Sequence, residues 1–147
     1  MRKGARYTTE EKLLLDSNTL VYAYDKTSTK HNIAVETIEN AILSGMAVVS
    51  VQNLAEFSRV VTEKLPQKLG YEQTRNIALE LAEAFDVIYY DEHIIADALN
   101  LCEMHKLHFF DSLLVATMEK EKIKTIVTDN EKDFKKIEWL NVVNPFK

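Results

Sequence analysis

Leu13-Leu14-Leu15-Asp16-Ser17-Asn18 is the stretch that decides the fold. Three consecutive apolar residues, followed at once by an acid and two capping residue types, describe a short buried strand that turns into a helix. That helix is expected to start at a cap on Ser17 or Asn18 and to run through Tyr24. The same punctuation recurs downstream. Ala47-Val48-Val49, Val87-Ile88-Tyr89, Thr125-Ile126-Val127 and Asn141-Val142-Val143 are further short apolar runs, and helical spacing fills the segments between them.

Residues 30–44 place Ile33, Ile38, Ala41 and Ile42 on one side, with Gly45 as a stop. Residues 51–65 carry the stripe Val51, Leu54, Phe57, Val61 and Leu65, and residues 71–85 carry Ile77, Ala78, Leu81, Ala82 and Phe85. Asp91 caps a helix bearing Ile94, Ile95, Ala98, Leu99, Cys102 and His105. The helix expected over 112–122 is apolar nearly all round in its first turns and should be buried. Short apolar strands alternating with helices make an α/β domain around a mainly parallel sheet. Such sheets bind ligands beyond the carboxyl ends of their strands. Asp16 and Asp129 both stand at strand ends.

The chain has 147 residues, 46% hydrophobic and 28% charged, which fits one globular domain. Residues 1–11 have no apolar period and are expected to be a flexible arm, with the domain proper over 12–147. No apolar stretch approaches a membrane span, and the N-terminus has no secretory h-region. The single cysteine, Cys102, excludes an internal disulfide framework and fits a reducing compartment. These features point to a cytoplasmic protein without a membrane partner. A net charge of −5 opposes phosphate binding if the acids are spread evenly. It opposes it less if some of them hold divalent cations, which turn an acidic pocket into a phosphate site.

Several chemistries are excluded by absence. Three glycines cannot build a dinucleotide or P-loop motif. No Cys/His set has zinc spacing, and no Gly-x-Ser-x-Gly is present. Carboxylates remain. Two acids at the ends of different parallel strands converge on one crevice and repel each other unless a cation joins them. Hard oxygen donors of this kind suit Mg²⁺ or Mn²⁺.

Four segments then carry a resemblance. They are Leu13 to Tyr24 around Asp16-Ser17-Asn18, Val48 to Phe57 ending in Glu56, Phe109 to Ala116 around Asp111, and Ile126 to Phe134 around Thr128-Asp129 and Asp133. In this order, each in its strand or helix context, they resemble the motifs of PIN-domain nucleases, and the small size most resembles VapC-type toxins of toxin–antitoxin pairs. The resemblance implies a three-layer α/β/α fold with a five-stranded sheet. It implies an endoribonuclease using Mg²⁺ or Mn²⁺ held by Asp16, Glu56, Asp111 and a fourth acid. Asp129 is the preferred fourth ligand. Asp133 is the other candidate, and it is also placed to cap the last short helix.

The resemblance further implies a structured RNA substrate such as tRNA or rRNA, a homodimer, and a small antitoxin covering the groove. Asn18 and Thr128 are then the residues that orient carboxylates or water, although a helix cap and a turn hydroxyl serve them equally well. Asp111 can cap its helix and still lend an oxygen to a metal. Glu56 is in tension with periodicity. At about 100° per residue it points nearly opposite the Val51-to-Leu65 stripe, as a solvated acid would. Two rivals stand beside this reading. A haloacid dehalogenase-type phosphatase needs a second Asp where Asn18 stands. A PIN-like RNA-binding scaffold would have to keep four acids without using them.

Overall fold

The computed structural model describes residues 12–147, so the arm expected over 1–11 lies outside the described residues. Five strands form one sheet: β1 (Leu13–Leu15), β2 (Ala47–Ser50), β3 (Asp86–Ile88), β4 (Thr125–Val127) and β5 (Asn141–Val143). Their order is β3-β2-β1-β4-β5 and every pairing is parallel. The helices are α1 (Ser17–Tyr22), α2 (His31–Ser44), α3 (Val51–Glu63), α4 (Tyr71–Ala84), α5 (Glu92–His105), α6 (Phe109–Lys120) and α7 (Glu131–Phe134). None of them is long and apolar enough to cross a membrane.

The strands alternate as the pleat requires. Leu15, Val49 and Val127 face one core, shared with Leu20, Ile38, Phe57, Val61 and Leu81 from α1 to α4. Leu14, Val48 and Ile126 face a second core, shared with Leu114, Val115 and Met118 of α6 and with Phe134 of α7. The protein is a three-layer α/β/α sandwich, with α5 lying on the outer side of α6 through Ile94, Ala98, Leu113 and Ala116. The sheet reverses direction of build at β1, with β2 on one side and β4 on the other. That switch point opens a crevice at the strand carboxyl ends.

Local chemistry moves some element boundaries. Asp16, not Ser17 or Asn18, caps α1, because its side chain accepts the Ser17 N–H. The helix stops at Tyr22, where bonds from Tyr24 N to Val21 O and from Asp25 N to Tyr22 O tighten the chain into turns. Strand β3 begins one residue before the apolar run, with Asp86 anchored by Lys12 at 2.7 Å. Helix α6 begins at Phe109, three residues earlier than the pattern indicated, because His108 is extended and the chain turns there. Gly45 terminates α2 in the left-handed conformation, as expected. Of the expected apolar faces, Ile33, Ile42, Ile95 and Leu99 are exposed, since each core contacts a narrower strip of its helix than the spacing allowed.

Phe57 is fully buried and meets the Tyr24 ring edge-on at 5.5 Å, joining α3 to the end of α1. Phe57→Ala should lower the unfolding free energy by about 3–5 kcal/mol. Urea denaturation checks this: the midpoint should fall with little change in slope, and a loss under about 1 kcal/mol would mean the site collapses around the missing ring.

Candidate metal centre

Asp16 follows β1 directly and is 7% exposed. Its Oδ1 accepts the Ser17 N–H at 2.8 Å, while its Oδ2 accepts the Thr128 hydroxyl at 2.7 Å and the Asn18 amide at 3.4 Å. Thr128 is itself buried, receives Asn18 Nδ2 at 3.3 Å and Asn130 N at 3.0 Å, and stands just past β4. Asn18 also accepts the Asp129 N–H at 3.4 Å through Oδ1. Asn18 and Thr128 thus lock the Asp16 carboxylate in one orientation and tie β1 to β4 beyond the sheet.

Glu56 lies on α3, half-buried rather than fully solvated. Ser17 Oγ donates to its Oε1 at 3.1 Å and Gln52 Nε2 to its Oε2 at 3.4 Å. The apolar stripe of α3 seats on the sheet, and the flank that carries Glu56 is met by the start of α1. Ser17 Oγ is also 3.5 Å from Asp16 Oδ1, so one hydroxyl stands between the two acids. Asp111 does not cap α6. It lies within the first turn, and the cap position belongs to His108, which makes no side-chain cap bond.

The electrostatics group these acids. Burial above all, with Glu56 adding, pushes the Asp16 carboxyl up to about 6 despite the hydrogen bonds from Thr128 and Ser17. Burial, then the charges of Asp16 and Asp133, push Asp111 up to about 6, with His108 and Lys136 opposing. Burial also raises Glu56, against Gln52 and Ser17, and Asp111 adds to the rise. Asp16, Glu56 and Asp111 therefore feel one another, and the charge of Asp133 adds at Asp111.

Asp129 belongs to a different set. Its Oδ2 pairs with Lys30 Nζ at 2.5 Å and accepts the Tyr22 hydroxyl at 2.7 Å. Lys30 and Tyr22 hold its carboxyl below the usual range. The Lys30 ammonium also lies over the Tyr22 and Phe146 rings. Asp133 does not cap α7, whose cap position is Asn130. It sits within the helix, 3.9 Å from Lys136.

Sequence reasoning missed Lys30, Tyr22 as a hydrogen-bond donor, the bridging hydroxyl of Ser17 and the hold of Gln52 on Glu56. Ser17 had a signal, since it sits beside Asp16. Lys30 had none, being 99 residues from its partner.

The donor set suits a hard divalent ion: carboxylate oxygens only, raised in pKa by burial and mutual repulsion, as groups awaiting a cation are. The side chains are gathered without being closed into a cage. Among the described residues no three His, Cys, Asp or Glu side chains stand close enough to enclose an ion as they are. Binding would draw them inward.

The raised Asp16 has a consequence for stability. It titrates near 3.8 when exposed and near 6 in the fold. The folded state holds the proton more tightly, so a charged Asp16 costs stability above about pH 6, and the cost fades as the pH falls toward 4. Asp16→Asn keeps the side-chain shape and removes the charge. Without metal it should be more stable than wild type at pH 7.5, by about 3 kcal/mol, and the gain should shrink at pH 4.5. Thermal unfolding at both pH values, in the presence of a chelator, decides this. A variant less stable than wild type at pH 7.5 would mean that the hydrogen bonds to the carboxylate outweigh its desolvation.

The model of the PIN domain matches residues 13–140. No curated protein matches the chain significantly. Solved structures do. The chain is similar to a toxin–antitoxin complex from Klebsiella pneumoniae, at 21% identity over 92% of this chain and 99% of that one, with a TM-score of 0.70. It is similar to VapBC-1 from nontypeable Haemophilus influenzae, at 20% identity over 92% and 98%, with a TM-score of 0.66. It is also similar to Mycobacterium tuberculosis VapC20, a sarcin–ricin-loop-cleaving toxin, at 13% identity over 84% and 94%, with a TM-score of 0.70. At these identities the structural likeness is one of fold. The family match spans all four acidic segments, and the parallel five-stranded sheet agrees with it: the chain belongs to the PIN-domain family.

Proposed function

We propose that this protein is a metal-dependent endoribonuclease and the toxin of a toxin–antitoxin pair. The observation that carries the reading is the gathering of Asp16, Glu56 and Asp111 from three separate elements at the switch point of the sheet, with two of them pushed up to about 6. Structural acids are spread apart or paired with cations. These are not. When bound there, Mg²⁺ or Mn²⁺ would acidify water and stabilise the charge that develops on a phosphodiester and its leaving oxygen.

The chain's own residues do the rest. Thr128 and Asn18 orient the Asp16 carboxylate, and Gln52 orients Glu56, so two of the donors are held in place while the others close on the ion. The Ser17 hydroxyl separates Asp16 from Glu56 and can turn to either. Of the two acids at the fourth position, we take Asp133 as the ligand, because its charge bears on Asp111 and its own contact with Lys136, at 3.9 Å, is far looser than that of Asp129 with Lys30. Asp129 already has an ammonium partner and would have to release Lys30 to take a cation. In this reading Asp129 positions Lys30 and Tyr22 at the edge of the crevice. The substrate is a structured RNA such as tRNA or rRNA, an antitoxin covers the crevice, and two copies of the chain pair. Toxin–antitoxin complexes and an RNA-cleaving toxin among proteins of the same fold support these assignments.

Asp16→Ala and Asp111→Ala should each cut RNA at least about 100-fold more slowly than wild type in Mn²⁺, while remaining folded. Chelation should abolish wild-type cleavage and added Mn²⁺ restore it. If both variants cleave at the wild-type rate, the metal centre is misassigned. Calorimetry with Mn²⁺ separates the fourth acids. Asp133→Asn should weaken binding by about tenfold or more, and Asp129→Asn by less. The reverse order would return the ligand role to Asp129. A folded wild-type protein that binds no Mn²⁺ and cuts no RNA would favour a scaffold.

A further inference from the structure

Beside Glu56 the surface opens into a cleft of about 400 Å³, floored by α3 and walled by the exposed rings of Phe110 and Tyr90, with Arg59 at its outer end. Phe110 is 58% exposed, although it adjoins Asp111. Its ring is not loose. Phe109 meets it edge-on at 5.2 Å, and its carbonyl accepts Gln52 Nε2 at 2.8 Å. Gln52 is itself 5% exposed and lines the cleft. Its Nε2 has two acceptors, Phe110 O and Glu56 Oε2, whereas its Oε1 has no partner among the described residues. The two bonds from Nε2 hold the Phe110 backbone and Glu56 together at the floor of the cleft.

A second cleft, of about 420 Å³, adjoins the first and shares Arg59; it is lined on its far side by Arg75 and Tyr71. Arg59 and Arg75 are the two arginines among the described residues. Neither guanidinium has an ion-pair partner there, whereas Lys30, Lys135 and Lys136 are each engaged with an acid. Glu56 and Arg59 are one turn apart on α3 and lie on the same flank. The acidic centre, an aromatic cleft and two guanidiniums without an acid partner among the described residues thus follow one another along α3 and onto α4.

We infer that the Phe110–Tyr90 cleft takes one unpaired RNA base next to the scissile phosphate, and that Arg59 and Arg75 hold the phosphates that follow. The inference rests on the ribonuclease reading. The chemistry matches a single strand: aromatic rings stack on any base, and guanidiniums without an acid partner among the described residues take backbone phosphates. A protein partner filling the same groove with apolar side chains would leave both guanidiniums unused.

The test uses full-length protein carrying Asp16→Asn, Mn²⁺, and a short single-stranded RNA with 2-aminopurine as the reporter base. Binding should quench the reporter. Adding Phe110→Ala should remove the quenching and weaken binding on the order of tenfold, and Phe110→Trp should restore both. Arg59→Ala and Arg75→Ala should each weaken binding and reduce the slope of log affinity against log salt by about 0.7. Circular dichroism checks that the variants fold. Quenching and affinity unchanged by Phe110→Ala would overturn the inference. So would unchanged RNA binding combined with loss of self-association in sedimentation, which would make the cleft a protein interface. If the quenching depends on Phe110 but wild type cuts no RNA, the cleft stands and the nuclease reading falls.

Discussion

A carboxylate kept out of water at the end of the central strand is the constraint around which this molecule is arranged. Asp16 does three things at once. It caps α1, it receives the Thr128 hydroxyl and so fastens β1 to β4 past the last strand bond, and it carries a charge that its surroundings disfavour. The first two stabilise the fold and the third opposes it. A group that serves only structure would be better as Asn, which caps nearly as well without the desolvation cost. The surplus charge makes sense as something kept for a cation, a local stability loss of the kind functional sites carry.

The three central strands were legible because each carries an apolar run buried on both faces of the sheet, and such runs have few other ways to fold; the edge strands β3 and β5 are more exposed and were read from shorter apolar runs. Asp16, Asn18 and Thr128 were legible for a related reason: they flank those runs, so strand position alone brings them to one crevice. Glu56 was not legible from periodicity. The helical wheel tells stripe from flank, but not that the flank would lie against another helix. The fourth acid was harder still. Asp129 and Asp133 lie one turn apart, and what divides them is an ammonium from Lys30, far away in the chain. A pairing of that kind has no local signature. Phe109 and Phe110 were absorbed into the third motif, and nothing in the pattern said that one ring would be held and the next left in solvent.

The charge balance that weighs against nucleic acid in the composition looks different once it is placed. The chain is acidic by five charges overall, yet several of its lysines are paired with neighbouring acids, while Arg59 and Arg75 have no acid partner among the described residues. Net charge governs long-range encounter, whereas a bound strand responds to the few groups within a Debye length. An acidic protein of this layout would meet RNA slowly without cations and hold it locally once the centre is neutralised.

The strand order carries one more consequence, for synthesis. With the order β3-β2-β1-β4-β5, the first three strands in the chain form one half of the sheet, and β1 keeps an unpaired edge until β4 arrives. The Thr128–Asp16 bond spans 112 residues. Contacts of such separation close late, and chains emerge N-terminus first. A ribosome making this protein therefore carries a nascent chain whose acids from β1, α3 and α6 are already out, but whose central carboxylate has neither its orienting hydroxyl nor its neighbouring strand. The Asp16 carboxylate is oriented only once β4 has been made and has paired with β1, so the centre cannot be completed before that strand docks.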